Sequence, residues 1–487
     1  MSESAIRGKV SLKTKLAFSA GALEEAMIAA ATIATMLFYN QVLGVRPLLC
    51  GYVFLTASIF DAVTDPLVGW WSDHFKSRWG RRHPFMLFSV LPLTVGFYLM
   101  YAPPSDLTEI QYFWWFMGTM ILLRIGKTFY GIPHDALGAE LTDDYHERTS
   151  IFGFNAVAGM FAGALLGAAI LIVIFPTTGE YENGLLNPER YPLLASVGAV
   201  WICLTLLICV LGTRDQIPHL HPVDHKKVDA REYLQELWAL IRNPSYVSLC
   251  AAWLVMLVSG GILAVVSTYT FIYCFELSTE ELAIQRFVLL PGIFIALPLA
   301  AWLTRKLDKK LTIIYTCIVC ATLVALPYSL RLIGWFPDND SGWMLWMLFG
   351  SLFLGFLALP VVPIVIDSQL ADIADDHEHR TGKRSEGVIF SIRTFALKAT
   401  AGFGGLVGAF GLEYINFPEN ASAATLTPET INGLLFMSGP LYWIIVFTGM
   451  LFMGMYQLNE KRHKEIMTEL RIRRAARDSG ESLNPAG

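Results

Sequence analysis

The stretch Phe60–Asp73, FDAVTDPLVGWWSD, decides how the rest of the chain is read. It closes an apolar run at 47–73, long enough to cross a bilayer as a helix, since about 20 residues at ~1.5 Å rise suffice. Yet Asp61 and Asp65 stand well inside that run. A charge at such depth costs a few kcal/mol even on permissive scales, so a membrane helix keeps one for a purpose. The stretch also has an echo. DPLVGW at 65–70 aligns with LPLAAW at 297–302, pairing Pro66 with Pro298 and Trp70 with Trp302. At the same offset of 232, DDYHERT at 143–149 aligns with DDHEHRT at 375–381. Two distant segments sharing one offset mark an internal duplication.

Outward from the repeat, twelve apolar runs of helical length lie between residues 17 and 456. Their length and lack of alternation exclude a barrel of short strands. Composition agrees: of 487 residues, 54% are hydrophobic and 16% charged, with mean hydropathy +0.49. An ordinary soluble domain carries about 25% charge, so a soluble enzyme, a disordered chain and a fibrous one are excluded. The expected fold is an all-α membrane protein of twelve transmembrane helices in two six-helix pseudo-repeats. Most of the 36 basic residues fall on the side of the N-terminus, which places both termini in the cytoplasm. The expected divisions are an N-terminal bundle at 1–212, a cytoplasmic linker at 213–243, a C-terminal bundle at 244–458 and a cytoplasmic tail at 459–487. The polar start, MSESAIRGKVSLKTK, has no signal-peptide pattern, so the first apolar run is expected to remain as a span. Cys317 and Cys320 form a C-x-x-C that reads as a helix wall, without the second ligand pair a metal site needs. The basic tail reads as a solvated or membrane-surface helix, not a nucleic-acid binder.

Asp61 and Asp65 stand at i and i+4 and share a helix face, with Thr64 beside them. Two carboxylates and a hydroxyl are hard oxygen ligands, suited to a small cation or a proton. At the repeat offset the acids map to Ile293 and Leu297, so the scaffold alone does not call for them. The competing explanation is a structural ion pair with a base on another helix. The fourth run carries Arg124, Lys127, Thr128, His134 and Asp135, and Arg124, Thr128, Gly131 and Asp135 form one stripe. Glu24 and Glu25 stand in the first run, and Arg393 and Lys398 in the eleventh. Lys398 maps to Leu166 in the other half and is again asymmetric. Glu24, Glu25, Arg124, Lys127, Asp135 and Lys398 are the substrate-contact candidates, whereas His134 reads as a packing histidine. Asp73, Arg78, Arg81 and Arg82, in the short loop Ser72–Arg82, suit a cytoplasmic latch between halves, and equally a plain topology signal. Neither HExxH nor GxSxG stands in a suitable place, so the chain is not expected to be an enzyme or to hold a cofactor. A channel would leave the two halves equivalent around a pore, and the acids occur in one half.

FDAVTDPLVGWWSD, RWGRRHPF, GIPHDALGAELTDDYHERT and ADIADDHEHRTGKRSEGVIFSIRTFALK resemble the glycoside–pentoside–hexuronide:cation symporters of the major facilitator superfamily, whose type member is the melibiose permease. The resemblance implies alternating access and uptake driven by sodium, lithium or protons, in a cell inner membrane. It places Asp61, Thr64, Asp65 and Thr128 at the cation and matches Lys398 to a lysine linking cation and sugar regions. Gly131 and Asp135 stand where the melibiose permease has an aspartate and a tryptophan. A lysolipid cargo is the alternative, because lysolipid carriers share the DAxTDPLVG pattern. The expected partners are a small solute, the coupling cation (sodium ahead of proton) and the bilayer, with the chain a monomer. Arg124, Lys127 and Lys398 at similar depth suggest surplus positive charge once a cation is bound, which a uronate carboxylate would relieve. If Glu24, Glu25 and Asp135 neutralise those bases, the cargo is a neutral glycoside.

Overall fold

The computed structural model describes residues 9–142, 144–219, 238–288, 290–382, 402–422 and 425–478, with the single positions 235 and 389. Among these the chain is helical, joined by turns and short loops, with no strand. In order the helices are α1 Leu12–Ser19, α2 Ala22–Leu37, α3 Pro47–His74, α4 His83–Tyr101, α5 Glu109–Glu140, α6 Tyr145–Ala169 and α7 Tyr191–Gly212. They continue as α8 Pro244–Tyr273, α9 Thr279–Val288, α10 Leu290–Leu332, α11 Met344–Ala358 and α12 Val361–Thr381. The remainder are α13 at 402–414, α14 Pro428–Phe436, α15 Tyr442–Gly454 and α16 Glu460–Asp478.

Nine helical segments among the described residues are long and apolar enough to cross a membrane. The difference from the twelve expected has three local causes. The 32-residue α5 has the length, but Arg124, Lys127 and Asp135 lower its hydropathy. The eighth and ninth runs are continuous as α10, broken only where Asp308 takes φ 65°. The eleventh run falls largely outside the described residues, and Arg393 and Lys398 with it. Large apolar side chains such as Leu67, Leu91, Val173 and Trp346 are 61–75% exposed, the surface expected of helices facing lipid.

The described packing forms two compact units. The first comprises residues 1–225, 261–290 and 401–438; the second comprises 226–260, 291–400 and 439–487. In the first unit, α5 starts with a capping box in which Thr108 Oγ1 accepts from Gln111 N and Gln111 Oε1 accepts from Thr108 N at 2.9 Å. α4 and α5 approach closely because glycines face each other's backbones. A Cβ at Gly126 would stand 2.8 Å from Leu93 N, and one at Gly96 3.0 Å from Leu123 N. Tyr39 stacks on Phe116 at 3.8 Å in the same core. α3 meets α13 in the same way, with Gly402 against Ser58 and Gly51 against Ala409.

In the second unit, Cys317 and Cys320 are buried free thiols in the wall of α10, as the C-x-x-C spacing suggests. α16 docks on α12 through buried Ile466 and Leu470, through His463 to Asp375 at 3.2 Å, and through His379 to Glu469.

Candidate functional site

α3 and α5 run side by side and bring the sequence-selected acids to the sequence-selected bases and hydroxyls. The Thr128 hydroxyl donates to Asp65 Oδ1 at 2.9 Å and lies 3.5 Å from Thr64 Oγ1. Thr64 donates back to Phe60 O at 2.9 Å, which turns its lone pairs toward the cluster. Asp61, 7% exposed, takes Arg124 Nη1 on Oδ2 at 2.9 Å. All four cation candidates therefore lie on two adjoining helix faces, with oxygen the only donor type they offer. That set fits a small hard cation.

One helical turn along α5 from Arg124, Lys127 Nζ bonds Glu25 Oε1 of α2 at 2.9 Å. Arg124, Lys127 and Glu25 line a cavity of about 340 Å³ inside the first unit, the size of a small-solute site. The hydroxyls of Thr32, Thr268 and Tyr269 and the apolar Phe54 and Met120 add to its wall. Arg124 belongs to both places. It lines the cavity, and its pairing nitrogen rests on the cation cluster.

Glu24 and Asp135 are not brought to this cavity. Glu24 is buried at 2% exposure beside it, whereas Asp135 is an exposed side chain near His134. His134 packs as expected: its ring stacks on Phe18 at 4.1 Å and Nε2 lies 3.0 Å from Phe18 O. Lys398 lies outside the described residues.

The gate candidates gather at the far end of α3. Arg82, 4% exposed, bonds Asp73 at 2.5 Å, Ser72 Oγ at 2.8 Å and Glu140 at 2.9 Å. Arg81 reaches the same Glu140 oxygen at 2.9 Å, while Arg78 is exposed. Glu140, at the end of α5, is the hub that sequence reasoning missed. The repeat could have shown it: Glu140 maps to Asp372, and Lys309 bonds Asp372 at 2.6 Å in the second unit. Each half thus ties its second-to-third helix loop to an acid of its fourth helix.

A second missed group stands where α2 ends in the wide turn Phe38–Val42. Tyr269 donates to Asn40 Oδ1 at 2.9 Å and Tyr273 to Gln41 Oε1 at 3.0 Å. Gln41 also donates to Pro418 O at 3.0 Å and accepts from Ala421 N at 2.8 Å. Tyr269 belongs to the cavity wall, so this network joins that wall to the end of α2.

Helices that face lipid, a polar cavity within them and an oxygen cluster sharing one arginine with that cavity define a polytopic membrane transporter, not an enzyme. The profile of the MFS/sugar transport protein family matches residues 18–460, and the chain belongs to that family. Within it, the chain is of the glycoside–pentoside–hexuronide:cation symporter type. It is 24% identical over 468 residues to the inner membrane symporter YicJ of Escherichia coli K12, covering 95% of each chain. It is also 24% identical over 440 residues to the glucuronide carrier protein homolog of the same organism, covering 89% of each. The inward-open structure of the xylose transporter XylE from Escherichia coli shares the fold, with TM-score 0.59 and 14% identity over 93% of this chain and 98% of that one.

Proposed function

We propose that the protein is a cation-coupled symporter that imports a glycoside by alternating access, with sodium as the coupling ion. Its spans number twelve, both termini are cytoplasmic, and bundles at 1–212 and 244–458 flank the linker at 213–243, with the tail at 459–487. The chain acts as a monomer in the cell inner membrane. A symporter and a glucuronide carrier homolog among its relatives support the reading.

One observation carries the mechanism: the Arg124–Asp61 pair bridges the oxygen cluster and the cavity. A sodium ion entering among Asp61, Thr64, Asp65 and Thr128 competes with Arg124 for the Asp61 carboxylate. The displaced guanidinium then turns its donors to the cavity, where sugar hydroxyls or a uronate carboxylate accept them. Lys127 and Glu25, which pair with each other at 2.9 Å, supply a donor and an acceptor to the same cargo. Lys398, in the eleventh run, is a further proposed cargo residue. Cation and cargo thereby raise each other's affinity, as linkage requires. Asp73, Arg81 and Arg82, with Glu140, tie the end of α3 to the end of α5 and, with Arg78, form the cytoplasmic gate. A cavity of about 340 Å³ suits a glycoside better than a lysolipid with its acyl chain.

The test is uptake of para-nitrophenyl β-glucoside and para-nitrophenyl β-glucuronide into vesicles holding the protein, at fixed pH. An inward sodium gradient should drive accumulation of one of them. Accumulation driven by a proton gradient and indifferent to sodium would overturn the sodium assignment.

A further inference from the structure

The second unit holds a cavity of its own, between the stretch that leads into α8 and the last turns of α12. Its volume is about 310 Å³, and Gln235, Trp238, Arg242, Asn243, His377 and Arg380 line it. The candidate spans Pro244–Tyr273 and Met344–Thr381 begin and end beside it, which sets it at the level of a membrane surface. Two arginines and a histidine face this space, and among the described residues no acid lines it. Asp376, buried on α12, accepts from Arg380 Nε at 2.9 Å and from Asn243 Nδ2 at 2.8 Å, so one carboxylate offsets Arg380. Arg242 instead lies over the Trp238 ring at 5.2 Å, with no acidic partner among the described residues. Its charge is left for something other than the chain to balance.

The duplication shows that the scaffold does not call for this arrangement. At the offset of 232, Arg242 maps to Val10 and Arg380 to Arg148. In the first unit Val10 N donates to Glu147 Oε1 at 2.7 Å, and Lys15 bonds the same oxygen at 2.9 Å. Glu147 maps to His379, so the second half has no acid at the position where the first uses one to join these segments. The approach to α8 also has two faces. Trp238 and Ile241, one helical turn apart, are 58% and 49% exposed, whereas Leu240 between them is buried. An indole at the end of a span, with an arginine against its ring, suits the boundary between lipid headgroups and acyl chains.

We propose that this cavity binds the phosphate of an anionic phospholipid from the adjoining leaflet. Arg242 and Arg380 donate to the phosphate oxygens, and a guanidinium fork matches two of them at once. Trp238 and Ile241 pack against the glycerol and the first acyl carbons, so that the site takes headgroup and chain together. It is distinct from the cation cluster and the cargo cavity, which belong to the first unit.

The test titrates the purified protein in detergent with dioleoylphosphatidylglycerol, dioleoylphosphatidylcholine or inorganic phosphate. Bound lipid is counted by native mass spectrometry, and phosphate is followed through the melting temperature. The parent should hold one phosphatidylglycerol about tenfold more tightly than Arg242→Gln does, the scale of one charge-assisted bond, with Arg242→Lys in between. Arg242 is exposed and touches Trp238, so its replacement leaves the packing of α8 and α12 in place. Lys461→Gln, on the exposed start of α16, should retain the lipid as the parent does. Equal retention by the parent and Arg242→Gln overturns the site, as does equal weakening in Lys461→Gln. Phosphatidylcholine held as tightly as phosphatidylglycerol overturns the preference for an anionic headgroup. Inorganic phosphate that raises the melting temperature of the parent but not of Arg242→Gln, with no phosphatidylglycerol retained, overturns the lipid in favour of a soluble phosphate.

Discussion

Replacing Arg124 by glutamine should make sodium bind more tightly, although it deletes a residue of the proposed transport site. Arg124 holds Asp61 through an N–H···O bond of 2.9 Å, with side chains 25% and 10% exposed respectively. A hydrogen bond between charged groups in such partial burial contributes about 1.5–3 kcal/mol net. A sodium ion must displace that bond before it can use both oxygens of Asp61. At about 1.4 kcal/mol per decade, removing the competitor raises sodium affinity roughly 10- to 100-fold. The assay is titration of purified protein with sodium, read by calorimetry or tryptophan fluorescence, with choline holding ionic strength constant and the pH alkaline enough that protons do not compete. Arg124→Lys keeps a competing charge and should stay near the parent. Lys127→Gln, whose partner is Glu25, should change sodium affinity by less than about threefold. A folded Arg124→Gln protein that binds sodium no better than the parent refutes the exchange of partners.

Four further outcomes are expected. Asp61→Asn and Asp65→Asn should still insert in the membrane but lose sodium-driven accumulation; parental accumulation by both variants would rule the cluster out as the coupling site. Arg124→Gln should weaken binding of para-nitrophenyl β-glucuronide about tenfold more than that of the β-glucoside, the scale of one charge-assisted bond; equal weakening would show that the arginine does not read charge. Glu140→Gln leaves Arg81 and the 5% exposed Arg82 without their shared carboxylate and should cost about 3 kcal/mol, near the low end for a broken buried pair because Arg82 keeps Asp73. An unchanged melting temperature in detergent would contradict that. In the tail, the hydrogen bond from His379, reinforced by that imidazole's charge and by Arg462 and Arg473, holds the Glu469 carboxyl below its usual range. A lowered value in the folded state stabilises docking fully above the ordinary glutamate value of about 4.3, and the contribution fades as pH falls through the lower folded value. Amide exchange in α16, corrected for its intrinsic pH dependence, should rise there and stay flat in Glu469→Gln.

The fold was legible where the signal was apolar length and repetition. The runs, the duplication at offset 232 and the wall position of Cys317 and Cys320 needed nothing beyond the sequence. The cation candidates were legible because carboxylates inside a membrane helix are costly, and α3 and α5 do bring Asp61, Thr64, Asp65 and Thr128 together. The pairings were not legible. No spacing rule connects Arg124 to Asp61 or Lys127 to Glu25, because each pair joins helices far apart in sequence. Pairing Lys127 with Glu25 also removes part of the surplus positive charge that the count of bases suggested. Glu140 escaped notice because an acid at a helix end looks like ordinary surface. Asn40 and Gln41 escaped because uncharged amides beside an apolar run leave little trace in hydropathy. The Asp308 break was hidden for a related reason, since LDKKL has neither glycine nor proline to announce a positive φ.

Those two amides set how the carrier waits. Tyr269, Tyr273, Pro418 and Ala421 hold Asn40 and Gln41 through four hydrogen bonds. At about 1 kcal/mol apiece, an opening that broke all four would cost about 4 kcal/mol, roughly a thousandfold in population. On the topology proposed above, the end they tie together faces outward. An unloaded molecule is then expected to open its cavity to the medium only rarely. On that same reading, coupling cation and cargo are expected to lower that threshold together. A symporter held in this way is expected to be a poor leak when unloaded.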